Sequence, residues 1–280
     1  MKKIIIAFVL LLSQIGADAQ VRIPQQSPKE TIHQTVGLTD VEIIYSRPSA
    51  RDRIVYGNLV PFGKLWRTGA NENTLISFSD DVTIAGKTLK KGQYALYTVP
   101  NIQNWEIIFY KTTDNWGTPK NFDEANVALR TNAKEIAVPK AVETFTIGIN
   151  GLDSNGANLE ISWEHSLVSL RFDVPTHKMT MESIQKVLSG PKGEDYYAAA
   201  QYFFQSNGDT IKASEYINKA LDSTPEQPFY YLRLKSLIQA KNGDRKGAIE
   251  TAKLSMSASE AAGNQDYVKL NKDSINEWSK

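Results

Sequence analysis

The apolar pattern of this chain changes period once, near Pro175, and that change limits the fold more than any other feature. From Ser27 to Val174, hydrophobic and polar residues alternate in short runs broken by glycine, proline and asparagine. Alternation of that kind puts one face of a strand in a core and the other in water. Beyond Pro175, apolar residues recur at three- and four-residue spacing, which is the period of a helix. The order predicts a multidomain chain, β then α, rather than an alternating βαβ fold. With 280 residues there is room for both units.

In the first unit, residues 27–174, extended character falls on Thr31 to Val36, Val41 to Tyr45, Thr74 to Phe78, Tyr94 to Val99, Trp105 to Tyr110, Thr144 to Ile149, Leu159 to Trp163 and Leu167 to Val174. Val82 to Ile84 and Lys87 to Leu89 flank Ala85-Gly86, a tight hairpin in which glycine accepts positive φ. About eight to ten short strands with no long helical pattern between them favour an antiparallel β-sandwich or open barrel. Trp105 and Trp163 lie within strand patterns and are expected in the core.

The second unit, residues 178–280, begins with a helical run from Met179 to Leu188, stopped at Ser189-Gly190-Pro191. Asn207-Gly208-Asp209 and Asn242-Gly243-Asp244 then recur 35 residues apart. Each triplet separates two helical runs, Tyr196 to Gln205 from Ile211 to Leu221, and Phe229 to Ala240 from Lys246 to Ser257. With Tyr197, Ala200, Phe204, Ala213, Ile217, Ala220 and Pro225, the first pair resembles a tetratricopeptide repeat. The second pair keeps Ala248 and Ala252 but has Ser255 where a small apolar residue is expected. Tyr267, Leu270, Ile275 and Trp278 are predicted to form the apolar face of a last, capping helix. The residues around Pro175-Thr176-His177 permit either a hinge or a fixed join.

Met1-Lys2-Lys3, nine apolar residues from Ile4 to Leu12 and Ala17-Asp18-Ala19 have the order of a secretory signal peptide over residues 1–19, cut after Ala19. The apolar run is shorter than the roughly 20 residues of a membrane span, and no later segment approaches that length. Export to the periplasm or beyond the cell follows as an expectation. The chain has no cysteine, which excludes a lipid-anchored cysteine, disulfides, thiolate metal sites and a cysteine nucleophile. Its 32 basic and 31 acidic residues remove the electrostatic case for a nucleic-acid binder.

Unusual residues concentrate between Tyr45 and Asn73. From Arg47 to Arg67 there are four arginines and one lysine against one aspartate, a local net charge of +4. Pro48, Gly57, Pro61, Gly63 and Gly69 make this a structured loop region. Arg47, Arg51, Arg53 and Arg67 can converge on a carboxylate, sulfate or phosphate, because guanidinium forks hold such groups bidentately. Tyr56, Phe62 and Trp66 can wall such a site, and Asn71 and Glu72 can orient polar groups of a ligand. The alternative is internal, with the arginines pairing to Glu72, Asp80 and Asp81 or to loop carbonyls. Trp116, in the polar loop Thr112 to Pro119, is expected to fold back and plug one end of the β unit; otherwise it stacks on a sugar ring or other apolar face.

Tyr45-Ser46-Arg47-Pro48, Leu59-Val60-Pro61-Phe62-Gly63 and Trp66-Arg67-Thr68-Gly69-Ala70-Asn71-Glu72 resemble an exported bacterial family, domain of unknown function 2911. The similarity continues through Phe78-Ser79-Asp80-Asp81-Val82, Gly92-Gln93-Tyr94 and Asn115-Trp116-Gly117. The resemblance covers about Ser27 to Val174 and implies a secreted β domain. It carries no activity with it.

Catalytic templates find little support. His33, His165 and His177 read as strand, turn and boundary residues without metal-ligand spacing. The nucleophile-elbow, phosphate-loop and dinucleotide patterns are missing from the sequence, and no motif calls for a cofactor. Glu72, Glu106, Asp123 and Glu160 supply acids for glycoside hydrolysis only if the fold pairs them. The sequence therefore points to an exported, noncatalytic binding or scaffold protein. It takes an anionic or carbohydrate ligand at the loops and engages a protein partner through its helices. The alternative is a periplasmic hydrolase with Glu72 as acid or base and Arg67 stabilising an anion.

Overall fold

Among the described residues nine strands form: β1 (Lys29–Val36), β2 (Thr39–Ser46), β3 (Thr74–Phe78), β4 (Val82–Ile84), β5 (Lys87–Leu89), β6 (Gly92–Val99), β7 (Asn104–Tyr110), β8 (Val127–Asp153) and β9 (Gly156–Asp173), all where alternation predicts them except the first half of β8. The computed structural model describes residues 23–187, 191–206 and 208–280. The expected leader, with its cut after Ala19, lies outside them, as do Leu188 of the first helical run, Ser189 and Gly190 of the stop and Asn207 of the first triplet. All strand pairs are antiparallel, in one open sheet of order β1-β2-β3-β6-β7-β8-β9-β4-β5. The β4–β5 turn has φ 49° at Ala85 and 76° at Gly86, the two positive values of a tight hairpin turn matched to strand twist.

Two strands are longer than their sequence pattern suggests. β8 pairs with β7 as far as Lys134 and with β9 from Glu135 onward, so the sheet bends along it and folds over one core. Alternation fails in its middle because the register shifts between Ala137 and Val142, around Pro139, which has no N–H for a ladder. Correspondingly, β9 runs straight through His165, which the sequence places in a turn. Glu164 adopts a left-handed φ of 54° where the register shifts, and the strand continues. Beyond β2, residues 48–50 cross to β8. The Phe145 N–H donates to the Pro48 carbonyl, and the Ala50 N–H to that of Glu143, each at 2.8 Å.

The core gathers Ile43 and Tyr45 of β2, Trp105 and Phe109 of β7, Phe145 of β8 and Trp163 and Phe172 of β9 into one cluster. Fully burying a large apolar side chain contributes about 1.5–3 kcal/mol. On their other face β6 and β7 bury Ala95, Tyr97, Ile108 and Tyr110 beneath Leu65 and Phe122. Burial on both faces explains why Tyr94 to Val99 is apolar with so little alternation.

Six helices follow: α1 (Thr176–Val187), α2 (Gly193–Gln205), α3 (Thr210–Asp222), α4 (Phe229–Lys241), α5 (Arg245–Ala261) and α6 (Gln265–Trp278). Each packs on the next, and α2 also meets α4 and α4 meets α6, a serial stack of hairpins. Ala200, Ala213, Ala220, Ala248 and Ala252 are fully buried, so the helices approach closely at these small side chains. The aspartates of the repeated triplets act as caps. Asp209 accepts from the Ile211 and Lys212 N–H groups, and Asp244 from that of Gly247.

The last helix turns most of the expected face inward, with Tyr267, Ile275 and Trp278 partly buried, but its most buried positions are polar. Leu270 is exposed, whereas Asn271 and Ser274 are buried. Ser255, the departure from the repeat pattern, explains this: it is buried, donates to the Phe229 carbonyl at 2.7 Å and accepts from Asn271 Nδ2 at 2.9 Å. The chain passes from strand to helix through Val174, Pro175 and Thr176. Gly37, at φ 59°, lies so close to Thr176 that a side chain there has no room, and the Val174 N–H donates to the Asn155 carbonyl at 2.7 Å.

Candidate functional site

The loops between β2 and β3 enclose a cavity of about 310 Å³. Pro48, Leu59, Val60, Trp66 and Trp163 supply its apolar walls. The two indoles lie nearly parallel, with ring centres 6.1 Å apart. Gln26, Ser27, Ser49, Arg51, Arg53 and Arg67 supply its polar rim, with the backbone of Gly69 and Ala70. Three arginines line this space, and among the described residues no acidic residue does.

The four arginines of the loop have different fates. Arg47 is internal: it pairs with Glu30 at 3.0 Å and donates to the Phe145 carbonyl and Thr146 Oγ1. Glu30 also accepts from the Tyr45 hydroxyl, whose pKa is pushed well above its usual value by burial and by that bond. Arg53 donates to the carbonyls of Ala50 and Ser49 at 2.9 and 2.8 Å. Arg51 reaches the side chain and carbonyl of Gln26, while the nearby Glu143 accepts its backbone N–H instead. Arg67 is the exception. Its Nε is buried without an acceptor, and its side chain makes no hydrogen bond or ion pair among the described residues.

Local backbone geometry fixes Arg67 in that position. Trp66 pairs with Thr98 through both backbone groups, at 2.8 and 3.0 Å, and its indole N–H donates to the Gly69 carbonyl at 3.1 Å. Thr68, a β-branched residue, is buried at a left-handed φ of 56°, a conformation that costs about 1–3 kcal/mol. Its hydroxyl donates to Thr98 Oγ1, and its carbonyl accepts from Thr74 Oγ1 at 2.6 Å. Gly69 closes the turn at φ 149°, where a Cβ would come within 3.0 Å of the Ser46 carbonyl. Below the cavity, Tyr56 packs against Trp66, Trp105 and Trp163. Its hydroxyl is buried without a partner, and burial pushes its pKa far up.

Glu72 does not share the cavity with Arg67. It pairs with Lys29 at 3.5 Å and lines two neighbouring depressions beside Trp116. Asn71 ties the N-terminal segment down, donating to the Ser27 carbonyl and Ser46 Oγ. The other candidate acids have structural partners. Glu106 pairs with Arg130, Asp123 caps a single 3₁₀ turn at Glu124–Asn126, and Glu160 accepts from Asn150 and Ser169. Trp116 corrects the sequence reading: it is 76% exposed and plugs nothing, because the space beneath the loop is filled by Tyr97, Tyr110 and Phe122. Sequence reasoning missed Gln26, Ser27 and Trp163 as walls. Trp163 is a core residue of β9 whose ring also bounds the cavity, and strand periodicity has no signal for that double role.

The sequence model of a family described as Protein of unknown function (DUF2911) matches residues 27–172, more than half of the chain. The chain belongs to that family. No curated protein and no solved structure matches it.

Proposed function

We propose that this member of the DUF2911 family is an exported, noncatalytic binding protein whose β-domain cavity holds a ligand through an anionic group. One observation carries the reading: Arg67 lines a cavity with two further arginines, and its Nε is buried without a partner among the described residues. Leaving a charged donor unsatisfied costs at least about 1–3 kcal/mol, and an incoming anion recovers that cost. A carboxylate about 4 Å from a guanidinium gains about 4 kcal/mol at an effective dielectric of 20, before desolvation. The strain at Thr68 supports the reading, since strained backbone next to a cavity is tolerated where it holds a working side chain. Indole walls favour a ligand with an apolar face beside its charge.

The leader peptide supports export with cleavage after Ala19, and N-terminal sequencing of the envelope protein tests it. The stacked helical hairpins supply a surface for a protein partner. The hydrolase reading, with Glu72 and Arg67 acting together, has less support, because the two side chains line separate spaces. Thermal melts with a panel of carboxylated, sulfated and neutral small molecules test the binding site. At 100 times its Kd a ligand stabilises the folded state by about 2.7 kcal/mol. Stabilisation by anionic compounds that disappears in Arg67→Ala is expected; equal stabilisation of both proteins refutes the assignment.

A further inference from the structure

We infer that the ligand is an acidic oligosaccharide, with a carboxylate-bearing sugar in the arginine cavity and a neutral sugar beside it stacked on Trp116. This rests on the anion-binding reading of the cavity and names its ligand class. The cavity has a neighbour across its rim. Gln26 and Ser27 also wall a depression of about 590 Å³, which shares Lys29, Glu72 and Trp116 with a third of about 210 Å³. The three depressions are thus neighbours in series, sharing walls from the arginine cavity to the exposed indole.

Platform and anchor are tied to each other. The Trp116 loop is pinned by Asn73 Nδ2 to the Thr113 carbonyl at 3.2 Å and by the Tyr97 hydroxyl to the Gly117 carbonyl at 3.3 Å. Gly117, at φ 85°, lies against Arg67: a Cβ there would stand 3.7 Å from Arg67 Cδ and Nη1. A loop held this firmly leaves Trp116 76% exposed, its ring unused by the core.

The chemistry around the indole selects a sugar. Lys29, Glu72, Asn73, Asp114 and Asn115 surround Trp116 in the smaller depression. A pyranose offers its C–H face to the indole and its hydroxyls to that rim, where each carboxylate can accept two O–H groups of a vicinal diol. A purely apolar partner would leave these groups dry and unpaired. A uniformly charged polyanion would meet Glu72 and Asp114, so negative charge belongs at the arginine end alone.

Calorimetric titration with three probes tests the inference: glucuronate, xylotriose, and a tetrasaccharide carrying one glucuronate on xylotriose. The tetrasaccharide is expected to bind at least tenfold tighter than glucuronate, a difference of about 1.4 kcal/mol. Trp116→Ala should cut that advantage below about threefold, Trp116→Phe should restore most of it, and Arg67→Ala should remove binding of both acids. A tetrasaccharide no tighter than glucuronate, or an advantage that survives Trp116→Ala, overturns the inference while Arg67-dependent glucuronate binding leaves the cavity reading intact. Binding indifferent to Arg67 sinks both.

Discussion

Arg67 and Arg233 lie in the two halves of the chain, and the halves treat them in opposite ways. In the helical half, Nη1 and Nη2 of Arg233 both donate to Ser274 Oγ at 3.0 Å, and Nη1 reaches Asn271 Oδ1 at 3.4 Å. Asn271 passes its amide to Ser255 and the Tyr267 carbonyl, and Ser255 to the Phe229 carbonyl. Burial holds the Arg233 pKa below its ordinary value, yet the seam between α4, α5 and α6 gives the guanidinium neutral partners. In the β half, Arg67 has a buried Nε and no partner. A polar group that packing satisfies holds helices together, whereas one that packing leaves unsatisfied is open to a ligand.

Substitutions can break this contrast or sharpen it. The largest effect belongs to Trp105→Ala, which empties the centre of the β core and should cost about 3–5 kcal/mol in urea unfolding. A cost near 1 kcal/mol would mean that the core is not organised around these rings. Next comes Arg233→Met, which leaves Ser274 and Asn271 without their donor. It should cost about 1.5–3 kcal/mol, read as a lower urea midpoint for the helical signal. A neutral result would erase the distinction between the two arginines. Asp209→Ala, which uncaps α3, should cost about 1 kcal/mol, and Asp244→Ala a similar amount in α5. Unequal losses would show that the two hairpins are not equivalent units.

The helices were legible because their signals are local. Asp209 and Asp244 sit beside glycine at the head of an amphipathic run, and cap and periodicity lie within one turn of each other. The hairpin at Ala85-Gly86 was legible for the same reason. What escaped the sequence depends on partners far along the chain. Pro139 hides the continuity of β8, and the slip at Glu164 hides that of β9. Asn271 is buried on α6 because Ser255, a helix away, accepts its amide. The candidate site divides likewise. Composition located the arginine-rich loop, but only the fold separates Arg47, paired with Glu30, from Arg67, and only the fold leaves Trp116 uncovered.

The most direct measurement is urea unfolding of wild type and Arg67→Met, each with and without an anionic ligand that stabilises the wild type. The account predicts that Arg67→Met, which removes an unsatisfied donor, unfolds within about 0.5 kcal/mol of wild type or later without ligand, and that the ligand no longer shifts its midpoint. A variant destabilised by more than about 1.5 kcal/mol that still responds fully to the anion would contradict it, placing Arg67 in the scaffold and the binding elsewhere.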